Sequence, residues 1–201
     1  MKRLEKKSDT INFVGLWNIS NDKLCEDIID FFEKNVHLHN QGAIDSGINL
    51  AEKKTTDLTV DPVDLQNKNY AVFNNYFQKL FTCYNDYKKQ WPFINENIKI
   101  LDVPSFNVQR YLAGEHFSKM HAERSSTSTS HRVFAWMTYL NDLDENAGGC
   151  TNFQHFGIKV KPEKGKTLIW PAEWTHAHRG EVLNSGLKYI ITGWMHFPTS
   201  E

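Results

Sequence analysis

Apolar side chains in the first ninety or so residues recur with a helical period. Leu24, Ile28, Phe31, Phe32 and Val36 fall at i, i+4, i+7, i+8 and i+12, which predicts an amphipathic helix, with Asn21 as its N-cap. Tyr70, Phe73, Phe77, Leu80, Phe81, Tyr84 and Tyr87 keep the same period for about five turns, so this aromatic stripe reads as the core face of a second helix. The pair Trp91-Pro92 ends it, because the residue before proline avoids helical dihedrals. Between the two helices, residues 37–60 are polar and hold two glycines. They are expected to form a loop with short extended pieces.

From about residue 98 the period changes. Short runs rich in β-branched and aromatic residues alternate with turn signals. The runs are Phe106–Leu112, Arg132–Leu140, Thr151–Phe153, Ile158–Lys161, Thr167–Trp170, His176–Val182 and Tyr189–Phe197. Ala113-Gly114, Asn141-Asp142, Gly148-Gly149, Pro162–Gly165 and Asn184-Ser185-Gly186 punctuate them. Many short, regularly spaced strands predict a β-sandwich or jelly roll. The expected fold is mainly β with N-terminal helices (α+β), the helices packed on one sheet. One domain over residues 1–201 is expected, with 1–97 as helical support and 98–198 as the β core. Repeats, low-complexity segments and linkers are absent from the sequence.

Charge alters this picture little. Lys+Arg 23 against Asp+Glu 24 leaves no basic excess for nucleic acid, and the charged stretch Met1–Lys7 reads as a solvated tail. No apolar run approaches the ~20 residues of a membrane span, and no apolar leader follows the N-terminal charges. Cys25, Cys83 and Cys150 are widely separated and odd in number, which fits neither a disulfide framework nor a Cys-x-x-Cys metal site. A reducing, cytoplasmic setting is expected.

The candidate chemistry lies in the second half. His121 and Glu123 are two apart, so an extended segment would point both to one side. His178 from a distant strand would complete two histidines and one carboxylate. That set forms a facial triad for non-haem Fe(II), although zinc accepts the same donors. Lys188 follows His178 by ten positions and would suit a dicarboxylate such as 2-oxoglutarate. His176 is the rival of His178, with a role beside the ligands or toward the substrate. His116, His131, His155 and His196 match no ligand spacing.

An ordered series of motifs supports this choice. It runs Gln-Arg-Tyr-Leu-Ala-Gly (109–114), His-Ala-Glu (121–123), Tyr-Leu-Asn-Asp (139–142), Gly-Gly-Cys-Thr-Asn-Phe (148–153), Pro-Glu-Lys-Gly (162–165), His-Arg-Gly (178–180) and Gly-Leu-Lys-Tyr (186–189). Over roughly residues 105–198 the chain resembles the prolyl 4-hydroxylase-like branch of the Fe(II)/2-oxoglutarate oxygenases. The resemblance implies a double-stranded β-helix (jelly roll, cupin-like). It implies His121, Glu123 and His178 as iron ligands and Lys188 on the distal carboxylate of 2-oxoglutarate. Tyr111 and Tyr139 match tyrosines that hydrogen-bond the co-substrate. Thr192 and Trp194 match residues lining the same pocket, and Arg132 an arginine that reaches toward the substrate. The family usually has aspartate where this chain has Glu123.

The activity implied is hydroxylation of a C–H bond with Fe(II), 2-oxoglutarate and O2, giving succinate and CO2. A need for ascorbate is left open. A prolyl residue in a protein or peptide is the expected substrate. Alternatives are a free amino acid or other small molecule, or a cupin-like metalloenzyme that does not use 2-oxoglutarate. The small polar residues of Arg124–Ser130 suggest a flap over the site.

Overall fold

The computed structural model describes residues 1–3, 11–19, 22–98 and 100–198. In chain order the strands and helices are β1 (Lys2–Arg3), β2 (Gly15–Asn18), α1 (Asp22–Lys34), β3 (His39–Gln41), β4 (Lys53–Lys54), β5 (Thr56–Val60), α2 (Ala71–Gln90) and α3 (Pro92–Asn97). There follow β6 (Phe106–Leu112), β7 (His116–His121), β8 (Arg132–Tyr139), β9 (Thr151–Phe153), β10 (Ile158–Val160), β11 (Lys166–Pro171), β12 (His178–Gly180) and β13 (Leu187–His196). Two antiparallel sheets result, ordered β1-β2-β11-β8-β13-β6-β5-β3 and β10-β9-β12-β7-β4. This is the jelly roll expected, a double-stranded β-helix with helices on one sheet.

The large sheet has two apolar faces because its strands alternate. On one face Phe106, Val108, Phe134, Trp136, Ile169 and Ile191 join Leu24, Ile28 and Phe32 of α1 and Phe73, Tyr76, Phe77, Leu80 and Tyr87 of α2 in one buried cluster. The stripe on α2 is thus core, although Phe81 is exposed. On the other face Ala135, Met137, Tyr139, Leu168, Trp170 and Ile190 pack with Phe153, Ile158 and Val160 of the small sheet. Gly193 permits the first cluster, since a Cβ there would lie 2.6 Å from the Trp136 ring. Gly193→Ala is expected to cost about 1–3 kcal/mol through overpacking, read as a lower urea midpoint with unchanged slope.

The N-terminal half departs from expectation. It is not wholly helical, since β2 pairs with β11 and β5 pairs with β6. The stretch 37–60, expected as a loop with short extended pieces, supplies the short strands β3, β4 and β5. In β5, Leu58 and Val60 face the helices, whereas Asp57 and Thr59 line an internal cavity. Nothing local in the sequence marks that cavity. His116–His121 is likewise a strand that the apolar pattern did not single out, and the expected run His176–Val182 shortens to β12. Lys2 and Arg3 of the expected tail pair with Asn18 and Trp17. Leu4–Lys7 and the expected cap Asn21 lie outside the described residues.

Candidate metal centre and its cavity

β7 and β12 lie side by side, and their register sets His121 directly opposite His178. Glu123 follows two residues after the end of β7. One ligand atom from each of the three residues falls within 4.8 Å of the others. Backbone carbonyls orient both imidazoles: Nδ1 of His121 lies 2.8 Å from the Lys119 oxygen, and Nδ1 of His178 lies 2.9 Å from the His176 oxygen. A carbonyl only accepts, so each Nδ1 carries the proton and each Nε2 presents a lone pair inward.

Those lone pairs face a carboxylate. Glu123 Oε1 is 3.2 Å from His178 Nε2 and 3.8 Å from His121 Nε2. Three acceptors turned toward one point repel one another unless a proton or a cation sits among them. The donor set, two neutral imidazoles and one carboxylate oxygen, fits Fe(II) or zinc with positions to spare. The other carboxylate oxygen, Oε2, is taken by the Trp194 indole at 2.7 Å, which leaves Oε1 as the metal-facing oxygen.

The electrostatics favour ligand forms. Burial pulls His121 down to about 4, helped by the neighbouring His178. For Glu123, burial pushes the carboxyl up, while the Trp194 hydrogen bond, which does not need either imidazole to be charged, pulls it down. Around His178 the rings of Phe153 and Trp170 stand 5.3 and 5.1 Å away, and the imidazole is only 6% exposed.

The triad opens into a cavity of about 650 Å³ between the sheets. Lys188, Thr192 and Trp194 of β13 line it together, as do Tyr111 of β6 and Arg132 of β8. Lys188 is 3% exposed. Its ammonium donates to the Gly149 carbonyl at 3.1 Å and lies 3.9 Å from the centre of the Tyr111 ring. Among the described residues no carboxylate pairs with it, and burial pulls it down to about 8. A buried cation without a counter-charge is costly, so this end of the cavity fits an incoming anion.

Other expected site residues also bond to the protein itself. Tyr139 is fully buried behind the cavity, its hydroxyl 2.6 Å from Thr151 Oγ1 and 3.3 Å from the Val160 oxygen. Thr151, not Tyr139, lines the cavity. Thr192 donates its hydroxyl to the Trp136 carbonyl. Arg132 stacks 3.9 Å from the Trp194 ring centre and donates to the Glu123 backbone oxygen, so it braces the carboxylate ligand from its backbone side. His176 sits in a 3-10 turn, not on a strand, with Nε2 2.8 Å from the Asn12 oxygen. Its carbonyl, rather than its ring, serves His178. The Arg124–Ser130 loop is tied within itself and to a neighbour: Thr129 Oγ1 accepts from the backbone of Ser125 and Ser126, and Arg124 pairs with Glu173.

Lys53, Asp57, Gln109 and Trp170 also line the cavity; Gln109 opens the motif at 109–114, but none of the four was expected at the site. Lys53 and Asp57 fell in the stretch taken as a loop, and Gln109 and Trp170 looked like ordinary strand residues. Trp194→Phe keeps the ring but removes the donor to Glu123. It is expected to weaken metal binding about 10- to 100-fold, as loss of an outer hydrogen bond does at other sites, measured by chelator competition.

Comparison with known proteins bears on the same segment. The sequence model described as the 2OG-Fe(II) oxygenase superfamily matches residues 106–196. The chain is 25% identical over 87 residues to prolyl 4-hydroxylase subunit alpha-2 of Gallus gallus, a match that spans 40% of this chain and 16% of that protein. Its fold resembles the viral collagen prolyl hydroxylase of Paramecium Bursaria Chlorella virus-1, solved as a 2OG complex (TM-score 0.69, 17% identity, 96% of this chain and 100% of that one). It also resembles a Pseudomonas putida prolyl-4-hydroxylase (TM-score 0.71, 13% identity, 93% and 94%). A third is a Trichoplax adhaerens prolyl hydroxylase solved with a hypoxia inducible factor peptide fragment (TM-score 0.71, 12% identity, 92% and 84%).

Proposed function

From the match of residues 106–196 to the model of the 2OG-Fe(II) oxygenase superfamily, we propose that this protein is an Fe(II)- and 2-oxoglutarate-dependent dioxygenase that hydroxylates a C–H bond. The observation that carries the proposal is one cavity with two poles. At one pole His121, Glu123 and His178 converge as three acceptors; at the other, Lys188 is a buried ammonium that no carboxylate among the described residues pairs with. A metal and a dicarboxylate are the complements of these two poles.

When bound, iron with 2-oxoglutarate and O2 supplies the oxidising chemistry, placing one oxygen atom in the substrate C–H bond and the other in succinate as CO2 leaves. The chain's own contribution is placement. His121 and His178 offer Nε2 because the Lys119 and His176 carbonyls hold their Nδ1 protons. Trp194 holds Glu123 to a single metal-facing oxygen, and Arg132 steadies the backbone beneath it. Lys188 would take the distal carboxylate in a charge-assisted hydrogen bond. Phe153 and Trp170 exclude water from the His178 side.

The substrate we propose is a prolyl residue in a protein or peptide, supported by the curated relative, a prolyl 4-hydroxylase subunit. We read residues 1–201 as one domain, a reading supported by the strands that the first half lends to the large sheet. A cytoplasmic setting is part of the same proposal, supported by three cysteines that are odd in number and far apart in sequence. No helix among them is long and apolar enough to cross a membrane.

The test is turnover of proline-containing peptides with Fe(II) and 2-oxoglutarate, read by mass spectrometry. The expected result is one added oxygen on proline with equimolar succinate. Iron binding without any effect of 2-oxoglutarate on the visible spectrum would overturn the oxygenase assignment.

A further inference from the structure

A buried polar chain runs from the cavity's outer wall to the Lys188 end. Lys53 Nζ lies 2.7 Å from Asp57 Oδ2, and both side chains are more than nine-tenths buried. Thr55 donates its hydroxyl to Asp57 Oδ1 at 2.5 Å. Gln109 Nε2 donates to Asp57 Oδ2 at 3.1 Å, and the Tyr111 hydroxyl meets Gln109 Oε1 at 2.9 Å. All four of Lys53, Asp57, Gln109 and Tyr111 line the cavity.

The directions in this chain are forced. An ionised carboxylate only accepts, and Asp57 collects three donors. The end of the Gln109 amide that faces it must therefore be the nitrogen. The amide oxygen is then the end that faces Tyr111, and only the tyrosine can supply a proton to that contact. Reversing the amide would set its oxygen against the carboxylate and its nitrogen against the hydroxyl, losing the bond to Asp57. Tyr111 has one hydroxyl proton, and Gln109 takes it.

We infer that Lys53, Asp57 and Gln109 are positioning residues that commit the Tyr111 hydroxyl to the protein, so that it does not donate to the bound dicarboxylate and Lys188 alone of this pair reads the distal end. The inference rests on the co-substrate reading above. Tyr111 still shapes that end through its ring, which lies against the Lys188 ammonium. A carboxylate carries no proton and gains nothing from the remaining lone pair of the hydroxyl. The resemblance to oxygenases in which a tyrosine hydrogen-bonds the co-substrate therefore does not carry over to the hydroxyl of Tyr111, because this chain places an acceptor two residues before it.

Calorimetry on the Mn(II)-loaded protein tests this without turnover. The ligands are 2-oxoglutarate and 2-oxopentanoate, which keeps the 2-oxo acid but lacks the distal charge. Tyr111→Phe is expected to leave the 2-oxoglutarate Kd within about threefold, since the lost hydrogen bond is internal. Gln109→Leu frees the hydroxyl and is expected to tighten 2-oxoglutarate by about tenfold, the size of a new charge-assisted bond. It should leave 2-oxopentanoate unchanged, and the gain should vanish in the Gln109→Leu/Tyr111→Phe double variant. Weakening of tenfold or more by Tyr111→Phe alone would show that the hydroxyl binds the ligand and would overturn the inference. So would equal weakening of both ligands by Gln109→Leu, the mark of a merely structural role. Wild-type protein that binds neither 2-oxo acid would overturn the co-substrate reading as well.

Discussion

His178→Ala is expected to abolish divalent-metal binding and, with it, all turnover. The imidazole is the hinge of the candidate centre. It stands opposite His121 across the β7–β12 ladder and 3.2 Å from Glu123 Oε1. Its removal leaves His121 and Glu123, two donors from one strand end, with no third group to close the face. The loss should exceed the roughly 10- to 100-fold that an outer-shell change costs. Anaerobic titration with Fe(II), followed by 2-oxoglutarate, reads the effect directly. The weak visible charge-transfer band of a 2-oxo acid on Fe(II) should appear in the wild type and be absent from the variant. A band of normal intensity in His178→Ala would remove this residue from the ligand set and return His176 to consideration. The structure argues against that outcome, because the His176 ring is bound to the Asn12 carbonyl.

Lys188→Ala carries the second large effect. Breaking a buried ion pair by deleting one partner costs about 3–5 kcal/mol, so the 2-oxoglutarate Kd should rise by on the order of a hundred- to a thousandfold. Metal binding should be nearly unchanged, because Lys188 meets the Gly149 carbonyl and the Tyr111 ring but no ligand. A variant that binds 2-oxoglutarate as tightly as the wild type would favour a metalloenzyme of the same fold that does not use this co-substrate. The same lysine predicts a pH dependence. Burial lowers its ammonium to about 8 in the free protein, and only the protonated form attracts a carboxylate. Affinity should therefore hold below pH 8 and fall as pH rises through it, by about tenfold per unit well above the pKa. Lys188→Arg, which stays charged, should lose that fall.

Glu123 shows how much a single side chain depends on its surroundings. Its sequence spacing from His121 suffices to propose a ligand pair, and glutamate in place of the family's usual aspartate raises a question of reach. The structure answers with Trp194, whose indole holds the far oxygen at 2.7 Å. Trp194 was expected at the co-substrate, and its most specific contact is to the metal-facing carboxylate. Nothing in a one-dimensional pattern could link residues seventy-one positions apart.

What the sequence by itself determined is the part governed by period and spacing. The helical stripes at Leu24–Phe32 and Tyr70–Tyr87 and most strands after residue 98 follow from local patterns, and the His121/Glu123 spacing offers a ligand pair, whereas His178 and Lys188 were joined to that pair by an order of motifs that resembles the oxygenase family. Such patterns are legible because α-helices and strands repeat over short distances, and because paired ligands on one strand end are close in sequence. The tertiary structure alone decided the rest. Thr56–Val60, in a stretch expected as a loop with short extended pieces, is a strand that pairs with β6 and sets Asp57 on the cavity wall. Tyr139, expected at the co-substrate, lies behind the cavity, and Thr151, for which the sequence suggested no role, lines it. The chain from Lys53 through Asp57 and Gln109 to Tyr111 joins three strands. Each of its residues is unremarkable in isolation, because the direction of a hydrogen bond is set by the partner, and the partner is distant in sequence.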